Sequence, residues 1–120
     1  VDHNDVQSVL KMRAFLCAAL ICAGPALAAR TFSGEEAAAL RCANMLAYTA
    51  VTMARANMIG DEEKEVMLGI TVLILERHVS GTRAEKKAAM AIMRDRRDID
   101  QTLSDYRKNA AMCLVQFPIN

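Results

Sequence analysis

The chain has 120 residues, with 15 Lys and Arg against 14 Asp and Glu, so its formal net charge is +1. That length allows one small domain, and the near-neutral charge argues against a nucleic-acid-binding protein. Hydrophobic residues make up 53% of the chain, which excludes a disordered or low-complexity protein. Because aromatic residues are only 4% while Ala, Leu and Met are abundant, the composition predicts an all-α fold.

Residues 12–28 have the pattern of a secretory signal peptide. A Met-Arg start leads into a short apolar stretch, a Gly-Pro helix breaker and an Ala-Leu-Ala ending, in the order that signal peptidase substrates follow. We therefore expect cleavage after Ala28. The stretch is too short for a membrane anchor, which needs about 20 apolar residues.

The predicted signal peptide separates two other segments of the chain, 1–11 and 29–120. Residues 1–11 carry no apolar period, and we interpret them as an over-called start or a cloning remnant rather than native mature sequence. Residues 29–120 are expected to form a single helical domain. The predicted location is the bacterial periplasm or the medium, with no stable membrane anchor after cleavage.

Two cysteines remain in the predicted mature chain. Cys17 and Cys22 leave with the signal peptide, so Cys42 and Cys113 are expected to form one disulfide in an oxidising compartment. A redox pair is the alternative, but redox thiols usually lie two residues apart. A zinc site is not expected, since His78 is the only histidine of the mature chain and structural zinc takes four ligands.

The first predicted helix begins at a capping box formed by Ser33 and Glu36. Small and apolar residues then recur at helical spacing from Leu40 to about Met58. Gly60 stands where a left-handed C-cap belongs.

A second helix is predicted from an Asp61 cap to His78, ended by Gly81. Its interior, 66–75, is so continuously apolar that it would suit a buried strand, but no other segment offers a partner strand. Acidic residues at its start favour a helix, because they complement the helix dipole. Gly69 in its middle suggests a close helix crossing.

Two further helices are predicted after Gly81. Thr82 and Glu85 form a second capping box, which opens a helix to about Arg94. Asp98 is the expected N-cap of a last helix that runs to about Gln116. Whether these two helices break near 96–98 or run on is left open by the sequence. The last helix has an apolar face comprising Leu103, Tyr106, Ala110, Cys113 and Phe117.

The pattern as a whole predicts a small antiparallel bundle of three to four helices, stapled by the disulfide. In an up-and-down path the start of the first helix lies beside the end of the last. Cys42 and Cys113 therefore fall at the same end of the bundle.

Basic residues form a stripe on the third predicted helix. At 100° per residue they fall close to one line; the stripe comprises Arg83, Lys87, Arg94 and Arg97. The opposite face, with Ala84, Ala88, Ala91 and Ile92, suits packing. One interpretation of the stripe is a binding surface for an anionic partner. The simpler interpretation is the solvated face of an amphipathic helix.

The second helix also suggests a self-association face. It is apolar nearly all round, and so small a bundle cannot easily bury every face internally, so the excess is expected to pack in a homodimer. The residues of this predicted face are Val66, Ile70, Leu73 and Ile74.

No catalytic or cofactor motif is found. A thioether copper site would need clustered methionines, and only Met90 and Met93 are close, so core packing explains the methionines better. No haem-attachment or phosphate-binding motif occurs, nor one of a hydrolase. We expect no metal, no cofactor and no enzymatic activity.

The sequence thus predicts an exported, non-enzymatic helical protein of the bacterial envelope that acts through protein–protein interaction or self-association. One alternative is a periplasmic holdase-type stress chaperone, by analogy of size, helicity and one disulfide alone. Another is a small ligand or metal carrier. The sequence does not name a partner.

Overall fold

The computed structural model describes residues 30–120, so the predictions about the upstream extension and the signal peptide lie outside the described residues. Within this range the chain forms four helices: α1 Gly34–Arg55, α2 Asp61–His78, α3 Arg83–Asp95 and α4 Ile99–Gln116. No strand occurs in residues 30–120, which confirms the all-α prediction and the helical interpretation of 66–75. No helix in this part of the chain is long and apolar enough to cross a membrane.

α1 is the central helix of the bundle. It carries most of the buried side chains, and α2, α3 and α4 each pack against it. Ala39, Ala43 and Ala50 are fully buried along it. Small side chains at a helix contact allow the axes to approach closely, which explains how one helix takes three neighbours. Leu40 and Ile74 are the largest fully buried apolar residues of this core.

α3 begins at the capping box, and α4 at the Asp98 N-cap, that the sequence predicts. The Glu85 N–H donates to Thr82 Oγ1 over 3.1 Å, and the Thr82 N–H donates to Glu85 Oε1 over 2.8 Å. Asp98 accepts from the Gln101 N–H in the same way, over 2.8 Å. Because Asp98 satisfies the free N–H groups of a new helix, α3 and α4 are separate helices.

The corner between α1 and α2 differs from the prediction. α1 ends at Arg55, and Asn57 adopts the left-handed conformation with φ 57°. Gly60 is therefore not the C-cap of α1. It has φ −83° and is the N-cap of α2, so Asp61 is the first helical residue and not the cap. Asparagine is one of the few residues besides glycine that visit this region, which explains the earlier end.

The predicted capping box at the start of α1 is also wrong. Ser33 is the N-cap but makes no side-chain capping hydrogen bond. The Glu36 carboxylate instead accepts from the Ser80 N–H over 2.5 Å and from the Ser80 hydroxyl over 2.7 Å. A contact across 44 residues thus replaces the local one and ties the loop between α2 and α3 to α1.

Two packing predictions for α2 and α3 fail. A Cβ at Gly69 would meet nothing within 4 Å, so no helix of the described chain crosses there. On α3 the buried residue is Ala89, and Met90 and Met93 pack against the core, whereas Ile92 is 41% exposed. The helix is rotated so that Lys86 lies toward α2, where its Nζ donates to the Leu75 carbonyl over 2.9 Å.

The disulfide joins Cys42 to Cys113, with 5.8 Å between the two Cα atoms. Both cysteines are buried in the core, and the bond holds the start of α1 beside the end of α4, as predicted. The His78 Nε2 donates to the Pro118 carbonyl over 2.7 Å, and its ring meets the Phe117 ring edge-on at 5.4 Å. The end of α2 is thereby fixed at the same end of the bundle.

Candidate functional site

A groove of about 720 Å³ lies between α1, the end of α3 and α4. Its most buried lining residues are Met45, Phe117 and the disulfide, together with the polar Asn44 and Thr102. Met93 and Met112 line it closer to the surface. The volume falls in the range of binding clefts, roughly 300–1,000 Å³. The buried part of the groove therefore combines sulfur-containing and aromatic side chains with two polar ones.

Charged side chains line the same groove. They are Arg41 on α1, Arg96 and Arg97 after α3, and Asp105 on α4. Arg97 Nη2 forms an ion pair with the Asp105 carboxylate. Three positive charges against one negative leave an excess of two positive charges, which favours an anionic partner.

The positive charges lie toward two different ends of the groove. Arg41 precedes Cys42 and so lies at the level of the disulfide, whereas Arg97 pairs with Asp105 in the first half of α4. Asp105 and Cys113 are separated along α4 by roughly 12 Å, from the helical rise of 1.5 Å per residue. Asn44, Met45 and Asn109 lie between these two levels, whereas Phe117 lies beyond the disulfide level.

Asn44 adds a polar group to the groove. It lies three residues after Arg41, is only 6% exposed and lines the groove. Its side-chain amide can both donate and accept hydrogen bonds.

The predicted basic stripe is divided by the structure. Arg83, Lys87 and Arg94 are exposed on α3. Arg97 lies beyond the end of that helix and pairs with Asp105. The stripe is therefore not one continuous row.

Sequence reasoning missed Arg41 and Arg96 as groove residues. For Arg96, the signal in the sequence is the Arg96-Arg97 pair beside a predicted helix break. Nothing in the sequence pattern places Arg41 near them, because that requires the arrangement of α1 against α4.

The predicted self-association face on α2 is only partly exposed. Val66 is 63% exposed, but Ile74 is fully buried and Ile70 packs against the core. Ile74 is therefore wrong as a member of this face, because α1 already covers it. Leu73 is half-buried, and Val72, which the prediction omitted, is exposed.

A second polar cluster lies where the loop between α2 and α3 meets α1. The hydrogen bonds from the Ser80 backbone and hydroxyl lower the pKa of Glu36, with smaller help from Arg30 and Lys86. The hydrogen bonds from Thr82 likewise lower the pKa of Glu85. These carboxylates hold backbone in place, and ionised carboxylates that accept hydrogen bonds are expected to have lowered pKa values.

Gly81 is required at this polar cluster. Its φ is +95°, a conformation that side chains other than glycine rarely adopt. A Cβ at this position would also lie 2.7 Å from Arg30 Nη1. The cluster is therefore a structural fastening of the loop.

No group of three or more His, Cys, Asp or Glu within residues 30–120 is arranged to hold a metal ion. Comparison of the chain with family models, curated protein sequences and solved structures finds no match. The groove is therefore interpreted from its own chemistry.

Proposed function

We propose that this chain is an exported, non-enzymatic helical protein of the bacterial envelope, and that it acts by binding another protein at the groove. The observation that carries this proposal is the combination of three methionines in the groove lining, Met45, Met93 and Met112, with an excess of arginine around them. Methionine side chains are flexible and polarisable, so they adapt to a partner's surface. Arginine is enriched at protein interfaces.

The surface next to the groove supports a protein partner. Met112 is 64% exposed, and Val115, three residues further along the same side of α4, is 74% exposed. Exposed large apolar residues that adjoin one another are typical of interaction surfaces. The apolar area thus extends beyond the groove itself, further than a small ligand would need.

Export is proposed from the signal-peptide pattern together with the disulfide. Disulfides persist in the periplasm and outside the cell, and are rare in a reducing cytoplasm. A buried disulfide that joins the first and last helices suits a small domain whose core alone is marginally stable.

Site-specific photo-crosslinking in the envelope tests the proposal. A photoreactive amino acid replaces Gln116, which lines the groove, and in a matched variant it replaces Arg107. Arg107 is exposed on α4 and lies about 140° around the helix from Met112, from 100° per residue. We expect a discrete crosslinked protein from position 116 and none from position 107. Equal products from both positions, or none from position 116 in exported, oxidised protein, would refute the proposal.

The other two modes of action stay predictions. The predicted self-association face on α2 is smaller than expected, because Ile74 is buried. Self-association predicts that the crosslinked product is a second copy of this chain. A holdase-type chaperone would bind unfolded clients regardless of their charge. Client binding unaffected by the reversal of Arg41 and Arg96 to Glu would support the chaperone alternative.

A further inference from the structure

We infer that the element bound in the groove is an acidic amphipathic helix, with carboxylates at both ends of a short apolar stripe. This inference rests on the proposed function and specifies the chemistry of the partner. Its basis is the order of groups along the groove: arginine at the disulfide level, then methionine and asparagine side chains, then arginine again near Asp105.

The groove is bounded along its length by helices, which suits a helical partner. α1 and α4 border it and are held together by the disulfide at one end. A groove of this kind receives the apolar face of an amphipathic helix, whose anchors recur at i, i+3, i+4 and i+7. Met45, Met93 and Met112 supply the surface against which such anchors pack.

The spacing of the charges specifies the partner further. The two cationic levels are separated by roughly 12 Å, which corresponds to about eight residues of α-helix. A partner helix with acidic residues seven or eight positions apart, on the same face as the apolar anchors, would meet both levels. A single-chain lipid with one anionic headgroup would meet only one of them.

The free arginine groups explain why the partner is acidic. Asp105 already neutralises Arg97, whereas Arg41 and Arg96 form no ion pair within residues 30–120 and are exposed. Guanidinium groups bind carboxylates with two parallel hydrogen bonds. Between the two levels, the amide of Asn44, which lines the groove, offers a hydrogen bond to a polar side chain or to the end of the bound helix.

Binding of a synthetic helical peptide tests the inference. The probe is a fluorescein-labelled peptide with Glu at i and i+7, Leu at i+3 and i+4 between them, and Ala elsewhere. Matched peptides carry Gln or Lys in place of Glu. Fluorescence anisotropy is measured with the oxidised protein purified after expression of the full chain. We expect the Glu peptide to bind at least about tenfold more tightly than the Gln peptide, with the Lys peptide weaker still.

Two double variants separate the groove from general charge. Arg41→Glu with Arg96→Glu reverses the groove, and Arg83→Glu with Lys87→Glu makes the same change of net charge on exposed α3 residues that do not line it. The first is expected to weaken the Glu peptide about tenfold or more, and the second less than about threefold. Circular dichroism verifies that both variants keep their helices.

Three results would overturn the inference. One is equal binding of the Glu and Lys peptides, and another is an equal loss from both double variants. The third is binding of an anionic lysophospholipid below its micelle concentration, with no binding of the Glu peptide. If the Glu peptide fails while position 116 still crosslinks to an envelope protein, the inference is wrong and the proposed function stands.

Discussion

Opening the disulfide should remove a large part of the stability of this fold. Cys42 and Cys113 are 71 residues apart in sequence, and closing a loop of that length restricts the unfolded chain by about 4 kcal/mol in the chain-entropy relation. A domain of this size has a total free energy of unfolding of roughly 5–15 kcal/mol. Reduction alone is therefore expected to lower the urea concentration at which half of the protein is unfolded.

Urea unfolding followed by circular dichroism measures this loss. The oxidised protein, the reduced protein and the double variant Cys42→Ala with Cys113→Ala are compared. The reduced form isolates the loop, because it keeps both buried sulfur atoms. The alanine variant should lose about 1 kcal/mol more, since it also leaves small cavities in the core. A difference of less than about 1 kcal/mol between the oxidised and reduced forms would contradict the reasoning.

Three smaller changes test individual contacts. Hydrogen bonds from Ser80 lower the pKa of Glu36 below its usual 4.5, so the ionised form of Glu36 stabilises the fold. This stabilisation is present above pH 4.5 and is lost as the pH falls through the lower pKa that Glu36 has in the folded protein. Glu36→Gln should therefore flatten the acid side of a plot of melting temperature against pH, and an unchanged plot would count against the contact. Asp98→Ala removes the N-cap of α4 and should lower the free energy of unfolding by about 1 kcal/mol in urea titration; no change would mean that the cap contributes nothing. Thr49 is fully buried, and its hydroxyl has no hydrogen-bond partner in the part of the chain described, so Thr49→Val should raise the free energy of unfolding by roughly 1 kcal/mol. A destabilised valine variant would show that the hydroxyl is satisfied.

The elements that sequence reasoning predicted well are those fixed by local chemistry. Thr82 and Glu85 form a capping box within four residues, and Asp98 caps α4 by accepting from the Gln101 N–H, so their geometry does not depend on the rest of the fold. The disulfide was predictable by elimination, since Cys42 and Cys113 are the cysteines that follow the predicted signal peptide.

The predictions that failed depend on contacts distant in sequence. Glu36 has the right spacing for a capping box with Ser33, but Ser80 offers it two hydrogen bonds instead of one. Gly60 is a good left-handed cap, but Asn57 comes first and takes that role. Tertiary competition of this kind is not visible in a local pattern.

The candidate site was the least predictable part of the molecule. Arg41, Arg96 and Met112 belong to different helices or their ends, and only the packing of α3 and α4 against α1 brings them together. The sequence pointed to a basic surface on α3, yet Arg97 contributes to the groove and not to that row. The fold was needed to locate the groove.

Intact mass spectrometry of the protein isolated from its native cells tests the central claim most directly. The account predicts a chain that begins at Ala29 and is lighter, by two hydrogen atoms, than the fully reduced form, because Cys42 and Cys113 are joined. A product that retains residues 12–28, or one with both thiols free, would contradict it.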